Sequence, residues 1–352
     1  MRMNLKISAI IILAASLAFT AFKYCGSKLN KPDVVPLAIV KKFSNWRQLS
    51  ANKSYRTPSE MDYRKKVYFQ NHLKVDQHMS STNRTYNMSL NLFADLTHEE
   101  FLAKMNKPRS QKVETSSDSS LVQDQIDLPR SLGQSNINWS SQLQTTSVMD
   151  SSDEGCQDNY AWVATIVYNA NFYIKRGTSI LYKFSPQTYI DCSSNYGNRG
   201  CTGGTSINSF MYSMTNGIDT LSDYPYYGTL RPCRASFGYF KSLGLYKVPS
   251  LSNTDLLNKL AAKNVIAVSI DLAGGQFYSG GIFSGPCGSV PTQELILYGA
   301  GNDGVHNYWN LMNTWGSGWG ENGNLRLVRY PYDNNKLYSS CGVNMNAAYP
   351  TF

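Results

Sequence analysis

The sequence predicts an α+β fold of two lobes, one built around a buried helix and one around strands, behind a separate helical region. A nearly continuous apolar run predicts the buried helix near residues 159–175. Short apolar and alternating runs in the last third, separated by turns rich in Gly and Asn, predict an antiparallel sheet. A Ser- and Gln-rich stretch at 108–126 predicts a linker between the two regions.

The composition and the distribution of charge limit the classes of function. Apolar residues make up 42% of the 352 residues, which indicates a well-filled core in one large domain or two moderate ones. The net charge of +9 would suit a nucleic-acid partner, but residues 128–352 hold 14 Lys and Arg against 13 Asp and Glu. The basic excess lies in the first third and lacks the basic and aromatic interleaving of RNA-binding proteins. We therefore expect no nucleic-acid partner.

The N-terminus has the pattern of a targeting segment. Arg2 and Lys6 precede an apolar run at 7–22 that is short for a membrane span of about 20 residues. We expect residues 1–24 to be a signal peptide, and an uncleaved signal-anchor that holds the chain at a membrane through 7–22 is the alternative. The sequons that follow are compatible with a secretory route and a glycoprotein: Asn52, Asn83, Asn87 and Asn138.

The cysteines indicate disulfides. Six of the seven lie after residue 150, and an even number behind a secretory signal predicts three bonds. Zinc is a weaker alternative, because the chain has no CxxC pair and only four histidines. We expect neither a metal nor a cofactor.

The region before the linker predicts three helices and a short strand. A helix in residues 37–55 would place one apolar face at spacings of three: Leu37, Val40, Phe43, Trp46 and Leu49. Residues 59–79 predict a second helix, and the alternation of SLNLFADL at 89–96 predicts a strand. Thr97 and Glu100 have the spacing of a capping box at the start of a third helix.

Several motifs follow one another through the second region. They are INW at 137–139, GC at 155–156, FSPQTYIDC at 184–192, GCTGG at 200–204, GPCG at 285–288 and NTWGSGWGENG at 313–323. In this order they resemble the papain-like cysteine peptidases, and the cathepsin L branch in particular. The first region resembles the inhibitory propeptide of that family, with LNLFAD at 90–95 as its second motif.

The resemblance implies an organisation for the whole chain. A helical propeptide at 36–107 would precede the linker and a papain-like domain at 127–352, with one helical lobe and one lobe like an antiparallel β-barrel. The propeptide would lie in the cleft between these lobes as the protein's own partner. The implied location is the secretory pathway, with a lysosomal, vacuolar or extracellular destination. The implied disulfides are Cys156–Cys201, Cys192–Cys233 and Cys287–Cys341.

The positions that carry the family's chemistry are altered. The family needs a cysteine nucleophile at a helix start, a histidine base, an asparagine that orients it, and a glutamine for the oxyanion. By resemblance these positions are Asn159, Gln293, Asn313 and Asp153. An amide is a poor nucleophile and a poor base, and a carboxylate repels an oxyanion. The sequence therefore predicts an inactive homologue, a pseudopeptidase, in which only Asn313 keeps its residue type.

Substitute catalytic groups are hard to find in the sequence. His306 is the one histidine after the linker, and it lies close before Asn313 at a predicted hairpin tip, where we expect an exposed loop residue. Ser151 and Ser152 have no visible base. An active hydrolase with unorthodox residues stays as an alternative. Without catalysis, the chain would act either as a binding protein for a peptide or protein partner or as a structural subunit of a membrane-associated assembly.

Two interpretations stay open for each remaining position of the site. Asn159 is either a plain helix-start residue behind Asp158 as N-cap, or a positioned amide that holds a ligand. Gln293 would form a hydrogen-bonded pair of uncharged side-chain amides with either Asn313 or Asn159.

The last candidate residues belong to a substrate groove. Trp315 is either a packing residue or a substrate contact. Gly203 and Gly204 either let a peptide backbone approach or serve the turn beside Cys201.

Overall fold

The structure is a computed structural model that describes residues 34–50, 53–105, 136–143, 155–177, 182–235, 238–288, 290–291, 293–330 and 339–352. The predicted signal peptide and linker, Asp153 and the pair Ser151 and Ser152 lie outside the described residues. The chain forms two compact units that divide between Gln70 and Asn71.

The first unit contains two helices and an aromatic cluster. Helix α1 is Leu37–Asn45, a π-helical turn follows at Trp46–Ser50, and helix α2, Pro58–Ser80, begins in this unit. Phe43 lies with its ring centroid 5.4 Å from that of Tyr68. Among the described side chains of α1 and the turn, those of Ile39, Phe43 and Trp46 are buried, and the side chain of Leu49 lies outside the described residues.

The apolar face predicted for the first helix is partly wrong. Leu37 is 71% exposed. The buried positions follow the spacing of four and then three residues, which keeps one stripe of a 3.6-residue helix on the core side, and Leu37 lies off that stripe.

The segment after α2 belongs to the second unit. Strand β1 is Tyr86–Met88 and helix α3 is His98–Met105. The predicted capping box is confirmed, because the Glu100 N–H donates to Thr97 Oγ1 at 3.1 Å and the Thr97 N–H donates to Glu100 Oε2 at 2.8 Å.

The strand predicted at 89–96 is wrong. These residues form turns, and the strand lies just before them at β1. The Phe93 N–H donates to Asn91 Oδ1 at 3.0 Å, so an asparagine side chain sets a local turn where alternation had suggested an extended backbone.

The helical lobe is organised by one central helix. Helix α4 is Asn159–Arg176, and it packs with α5, Pro186–Cys192, and α6, Ser206–Asn216. Most of α4 is buried, as its apolar run predicts, and it ends at Gly177, whose φ of 59° is the left-handed conformation that favours glycine. Asn171 in α4 donates from Nδ2 to Val265 O at 2.7 Å and accepts from Val265 N–H at 3.0 Å. These two bonds tie the helix to the chain that enters the sheet.

The second lobe is a nine-stranded sheet with one further helix. Its strands after β1 are β2 Ile137–Asn138, β3 Gly244–Lys247, β4 Ile266–Ile270, β5 Tyr278–Phe283, β6 Gln293–Asn302, β7 Asn307–Met312, β8 Asn324–Val328 and β9 Ala347–Thr351, and helix α7 is Asn253–Ala261. The order is β1-β5-β8-β7-β6-β4-β9-β3, with β2 beside β6. All pairs of named strands are antiparallel except β5 and β8, which run parallel. The two-lobe α+β fold is therefore the predicted one, and the prediction of a purely antiparallel sheet is wrong at this one pair.

Three disulfides join the loops of the second unit. The bonds are Cys156–Cys201, Cys192–Cys233 and Cys287–Cys341, the pairs that the resemblance implied. Each closes a loop of 41 to 54 residues. A bond over such a loop stabilises the fold by about 2–4 kcal/mol through restriction of the unfolded chain. The described part of the chain therefore offers no free thiol. Among the helices of the described ranges, none is long and apolar enough to cross a membrane.

Core packing in the helical lobe gives a first prediction. Phe210 in α6 is 0% exposed and its neighbour Met211 is 39% exposed. We expect Phe210→Ala to lower the free energy of unfolding by about 3–5 kcal/mol, because it leaves a cavity. Met211→Ala is the matched control in the same helix and should stay within about 0.5 kcal/mol. Urea unfolding followed by tryptophan fluorescence measures both, and equal losses would contradict this packing.

Candidate functional site

Three of the four predicted site positions meet where the two lobes face each other. Asn159 is the first residue of α4, Gln293 is the first residue of β6, and Asn313 follows β7. Asp153 lies outside the described residues, so the geometry of the site is that of these three positions.

Gln293 is joined to Asn313 inside the sheet lobe. Its Nε2 donates to Asn313 Oδ1 at 3.2 Å, and the same oxygen accepts from the Thr314 N–H at 2.8 Å. Gln293 is 4% exposed and Asn313 is 1% exposed. Of the two partners expected for Gln293, the structure contains Asn313, and no described hydrogen bond joins Gln293 to Asn159. An uncharged amide pair thus occupies the positions of the implied base and orienting residue.

Asn159 uses both ends of its side-chain amide. Nδ2 donates to Glu294 O at 3.1 Å and to Thr314 Oγ1 at 2.8 Å, while Oδ1 accepts from the Glu294 N–H at 3.2 Å. The side chain therefore pairs with a main-chain peptide as a neighbouring strand would. Asn159 is thus the helix-start residue behind Asp158 that one interpretation expected, and its side-chain amide is in addition hydrogen-bonded to the sheet lobe.

Asp158 holds the N-cap position of α4 without capping it. Its side chain makes no capping hydrogen bond. Instead, Asp158 Oδ2 accepts from the Tyr226 hydroxyl at 2.6 Å. Asp158 therefore lies at the predicted N-cap position, but the predicted capping hydrogen bond is not formed. Its carboxylate accepts instead from the phenol of Tyr226, in the loop after α6.

Glu294 is a site residue that the sequence analysis missed. It is 4% exposed, and its carboxylate accepts from the Ser206 N–H at 3.0 Å and from the Ser206 hydroxyl. Ser206 begins α6, so the carboxylate lies at the positive end of that helix, where a negative charge is stabilised. The signal in the sequence was a single charge at the start of the apolar run ELILYG. Thr314 is likewise a site residue without a sequence signal.

The site contains no activated nucleophile or base among the described residues. Asn159, Gln293 and Asn313 are uncharged amides, and the carboxylate of Glu294 is already held by Ser206. Burial raises the pKa of Tyr160 well above its ordinary value, with smaller contributions from nearby carboxylates, so this phenol stays protonated at neutral pH. Within the described ranges, no group of His, Cys, Asp and Glu has an arrangement that could hold a metal ion.

The two glycines of the predicted groove differ from each other. Gly203 has φ +106°, and a Cβ added there would meet only Gln157 Oε1 at 4.0 Å. A Cβ on Gly204 would lie 2.3 Å from Asn198 Oδ1, so this glycine is required by internal packing. Close packing against Asn198, which neither expected interpretation named, therefore accounts for Gly204, whereas the face of Gly203 is open beside Gln157.

Trp315 is covered by the segment between β1 and the end of α3. It is 2% exposed, and its ring makes edge contacts with Phe93 at 5.5 Å and Phe101 at 5.6 Å between centroids. The Trp319 indole N–H donates to Gly275 O at 2.9 Å. In this form of the chain both indoles are packing residues of the second unit.

Gln276 fastens the same segment to the sheet lobe by its main chain and its side chain. Its Nε2 donates to Phe93 O at 3.2 Å and to Leu96 O at 3.0 Å, and its own carbonyl accepts from Asn91 Nδ2 at 2.7 Å. Gln276 is 1% exposed. These buried bonds make residues 91–96 part of the folded core of the second unit.

His306 lies in the predicted loop, where the residue is half-buried and not fully exposed. It lies between β6 and β7, its side chain is 40% exposed, and its Nδ1 is 4.0 Å from Asp303 Oδ2. No described hydrogen bond joins it to Asn159, Gln293 or Asn313. It does not replace the missing base.

Both regions of the chain match known protein families. The model of the papain family of cysteine proteases matches residues 134–351, and that of the cathepsin propeptide inhibitor domain (I29) matches 43–101. The chain is 32% identical over 308 residues to the probable cysteine protease RD21C of Arabidopsis thaliana, a match that covers 85% of this chain and 65%, just under two thirds, of that relative.

Two further similarities extend over most of both chains. Cathepsin L of Sarcophaga peregrina is 28% identical, with 90% of this chain and 95% of that protein covered. The solved structure of digestive procathepsin L 3 from the larval midgut of Tenebrio molitor has a TM-score of 0.75 and 30% identity, and it covers 90% of this chain and 100% of that one.

The bonds of Asn159 give a second prediction. A carboxylate in the first turn of a helix normally stabilises it, so Asn159→Asp would be neutral or favourable at a plain helix start. Here it would place an oxygen against Glu294 O and remove the donor to Thr314. We expect a loss of about 1–3 kcal/mol in the free energy of unfolding. Asn159→Ala is the control for loss of contact alone, and a stabilising Asn159→Asp would contradict the described hydrogen bonds.

The surroundings of His98 give a third prediction. Burial, with a smaller contribution from Lys74, lowers the pKa of His98 below its ordinary value of 6.5. The unfolded chain therefore binds a proton more readily than the folded one, so this contribution to stability is present above pH 6.5 and is lost as the pH falls. We expect His98→Gln to flatten the decline of the unfolding free energy between about pH 7 and pH 5. His306→Gln is the exposed control, and an unchanged slope in His98→Gln would contradict the prediction.

Proposed function

Because the chain belongs to the papain family of cysteine proteases, we propose that it is a catalytically inactive member, a pseudopeptidase that acts by binding or as a structural component. The observation that carries this proposal is the pair of amides at the start of α4 and the start of β6. Asn159 is hydrogen-bonded to a main-chain peptide and Gln293 to Asn313, so neither side chain is available to attack a carbonyl or to move a proton.

Thiol-dependent peptide hydrolysis needs an ion pair that these residues cannot form. A cysteine thiolate and an imidazolium are stabilised together at a helix N-terminus, and the imidazolium later protonates the leaving amine. Asparagine and glutamine do not titrate, and the six cysteines after residue 150 are consumed in disulfides. The fold of a protease is thereby maintained without its reacting groups.

The first region is proposed to stay with the domain that follows it. In an active relative a propeptide is removed by proteolysis, whereas this chain has no described group with which to cut itself. Residues 91–96 are fastened by Gln276, and Phe93 and Phe101 cover Trp315. A retained propeptide supports a role as a stable binding or structural component, at a membrane if residues 7–22 are kept.

The cellular location of the protein is proposed from its N-terminal segment and its disulfide bonds. An apolar run at 7–22 and three disulfide bonds suit the oxidising secretory pathway, with a lysosomal, vacuolar or extracellular destination. Glycans at the sequons Asn83, Asn87 and Asn138, all of which are exposed, would accompany this route.

The proposal gives a fourth prediction, on activity. We expect the purified protein, with and without limited proteolysis of the linker, to show no hydrolysis of fluorogenic peptides above a buffer blank and no labelling by peptidyl epoxides. A papain-family protease of proven activity, treated in the same way, is the positive control. Turnover that Asn159→Ala or Gln293→Ala abolishes would overturn the proposal and favour a hydrolase with unorthodox residues.

A further inference from the structure

Glu294 connects the sheet lobe to the helical lobe at two points of the site. Its main chain exchanges two hydrogen bonds with Asn159 at the start of α4. Its carboxylate accepts from the main-chain N–H of Ser206, at 3.0 Å and 3.3 Å to its two oxygens, and also from the Ser206 hydroxyl. Asn159 and Ser206 begin the two helices of the helical lobe that face the sheet, whereas Glu294 lies in β6 of the sheet lobe. One residue of the sheet thus holds both helix starts.

The first turn of helix α6 contains a main-chain N–H that has no partner within the helix and donates to this carboxylate. Its N-cap Thr205 accepts from the Asn208 N–H at 3.1 Å, which satisfies one of the free N–H groups of the first turn. Ser206, the first residue of the helix, donates its own N–H to Glu294 instead. A buried carboxylate is unfavourable unless charge-assisted hydrogen bonds compensate its lost hydration, and here two donors and the helix dipole do so.

We propose that Glu294, Asn159, Ser206 and Thr314 form a lobe clasp that closes the cleft at this point and excludes a ligand side chain from it. This inference rests on the proposed function, because a working protease would need the same space for its substrate. Glu294 is a specificity-determining residue in this sense: it is 4% exposed and is hydrogen-bonded to the starts of both α4 and α6. The clasp leaves partner binding to the outer surface and to the open face of Gly203.

The clasp is tested by hydrogen exchange on the full-length protein. The main-chain amides of Glu294 and Ser206 both donate within the clasp. We expect Glu294→Ala to raise the exchange rate of the Ser206 amide by about tenfold or more, since local opening sets that rate. Glu294→Gln keeps one acceptor oxygen and should give an intermediate rise. Glu321→Ala is the matched control, because Glu321 pairs with Arg326 at a side chain that is 30% exposed.

A distance measurement separates a clasp between lobes from a merely local bond. Spin labels at Met211→Cys in α6 and Val305→Cys between β6 and β7 report the separation of the lobes, and both label sites are exposed. Cys25, the one cysteine before residue 150, is replaced by serine so that it is not labelled. We expect one narrow distribution with Glu294 present and a broader or longer one in Glu294→Gln. An unchanged distance distribution in Glu294→Gln would overturn the clasp, and so would an unchanged exchange rate of the Ser206 amide in both Glu294 variants.

These readouts do not depend on catalysis. Peptide hydrolysis by the wild-type protein would refute the proposed function, whatever the exchange rates show. Conversely, an inactive protein whose Ser206 amide exchanges at the same rate with and without the Glu294 carboxylate would refute the clasp alone. If both Glu294 variants fail to fold, Ser206→Ala removes only the hydroxyl donor, and an unchanged exchange rate at the Glu294 and Ser206 amides in that variant would count against the clasp.

Discussion

The reciprocal pair of hydrogen bonds between the Asn159 side chain and the Glu294 main chain is the interaction on which the site depends. It joins the first residue of α4 to β6, and thereby brings the helical lobe to the sheet lobe. An amide makes this pair because it donates and accepts at once, as a peptide group does. A thiol, a weak donor and a weak acceptor, could not make both bonds, so an amide at position 159 supplies a contact between the lobes.

Two uncharged amides give the site different electrostatics from those of an ion pair. An ion pair in a partly buried cleft is unfavourable unless its geometry compensates the lost hydration, whereas two uncharged amides need only their hydrogen bonds. The bond from Gln293 to Asn313 meets this need, although Asn313 Nδ2 is buried without a hydrogen-bond partner among the described residues. The one charge in the network, on Glu294, lies at a helix N-terminus. These residues are thus buried and hydrogen-bonded as in a folded core.

The sequence predicted the fold because it depends on local patterns. Apolar and alternating runs located α4 and the strands β4, β6, β7 and β8, whereas β5 and β9 were not predicted. Residue spacing located the capping box at Thr97, and the family resemblance, with counting from cysteines, pointed to Asn159 and Gln293. Prediction from the sequence failed where a residue that is distant in the sequence determines the local structure. Asn91 and Gln276 hold the chain after β1 in turns despite its alternation, and Glu294 belongs to a buried network although nothing near it in sequence marks Ser206 as its partner.

The central claim is that the side-chain amides of Asn159 and Gln293 are engaged within the protein. Nitrogen-15 NMR of protein labelled at Asn and Gln measures the exchange of their NH₂ protons with water, and single substitutions of each residue assign the signals. We predict slow exchange and shifts that do not change between about pH 5 and pH 8, since the peptide, hydroxyl and amide groups bonded to these two side chains do not titrate there. Rapid exchange at both residues, equal to that of an exposed asparagine, would contradict the account.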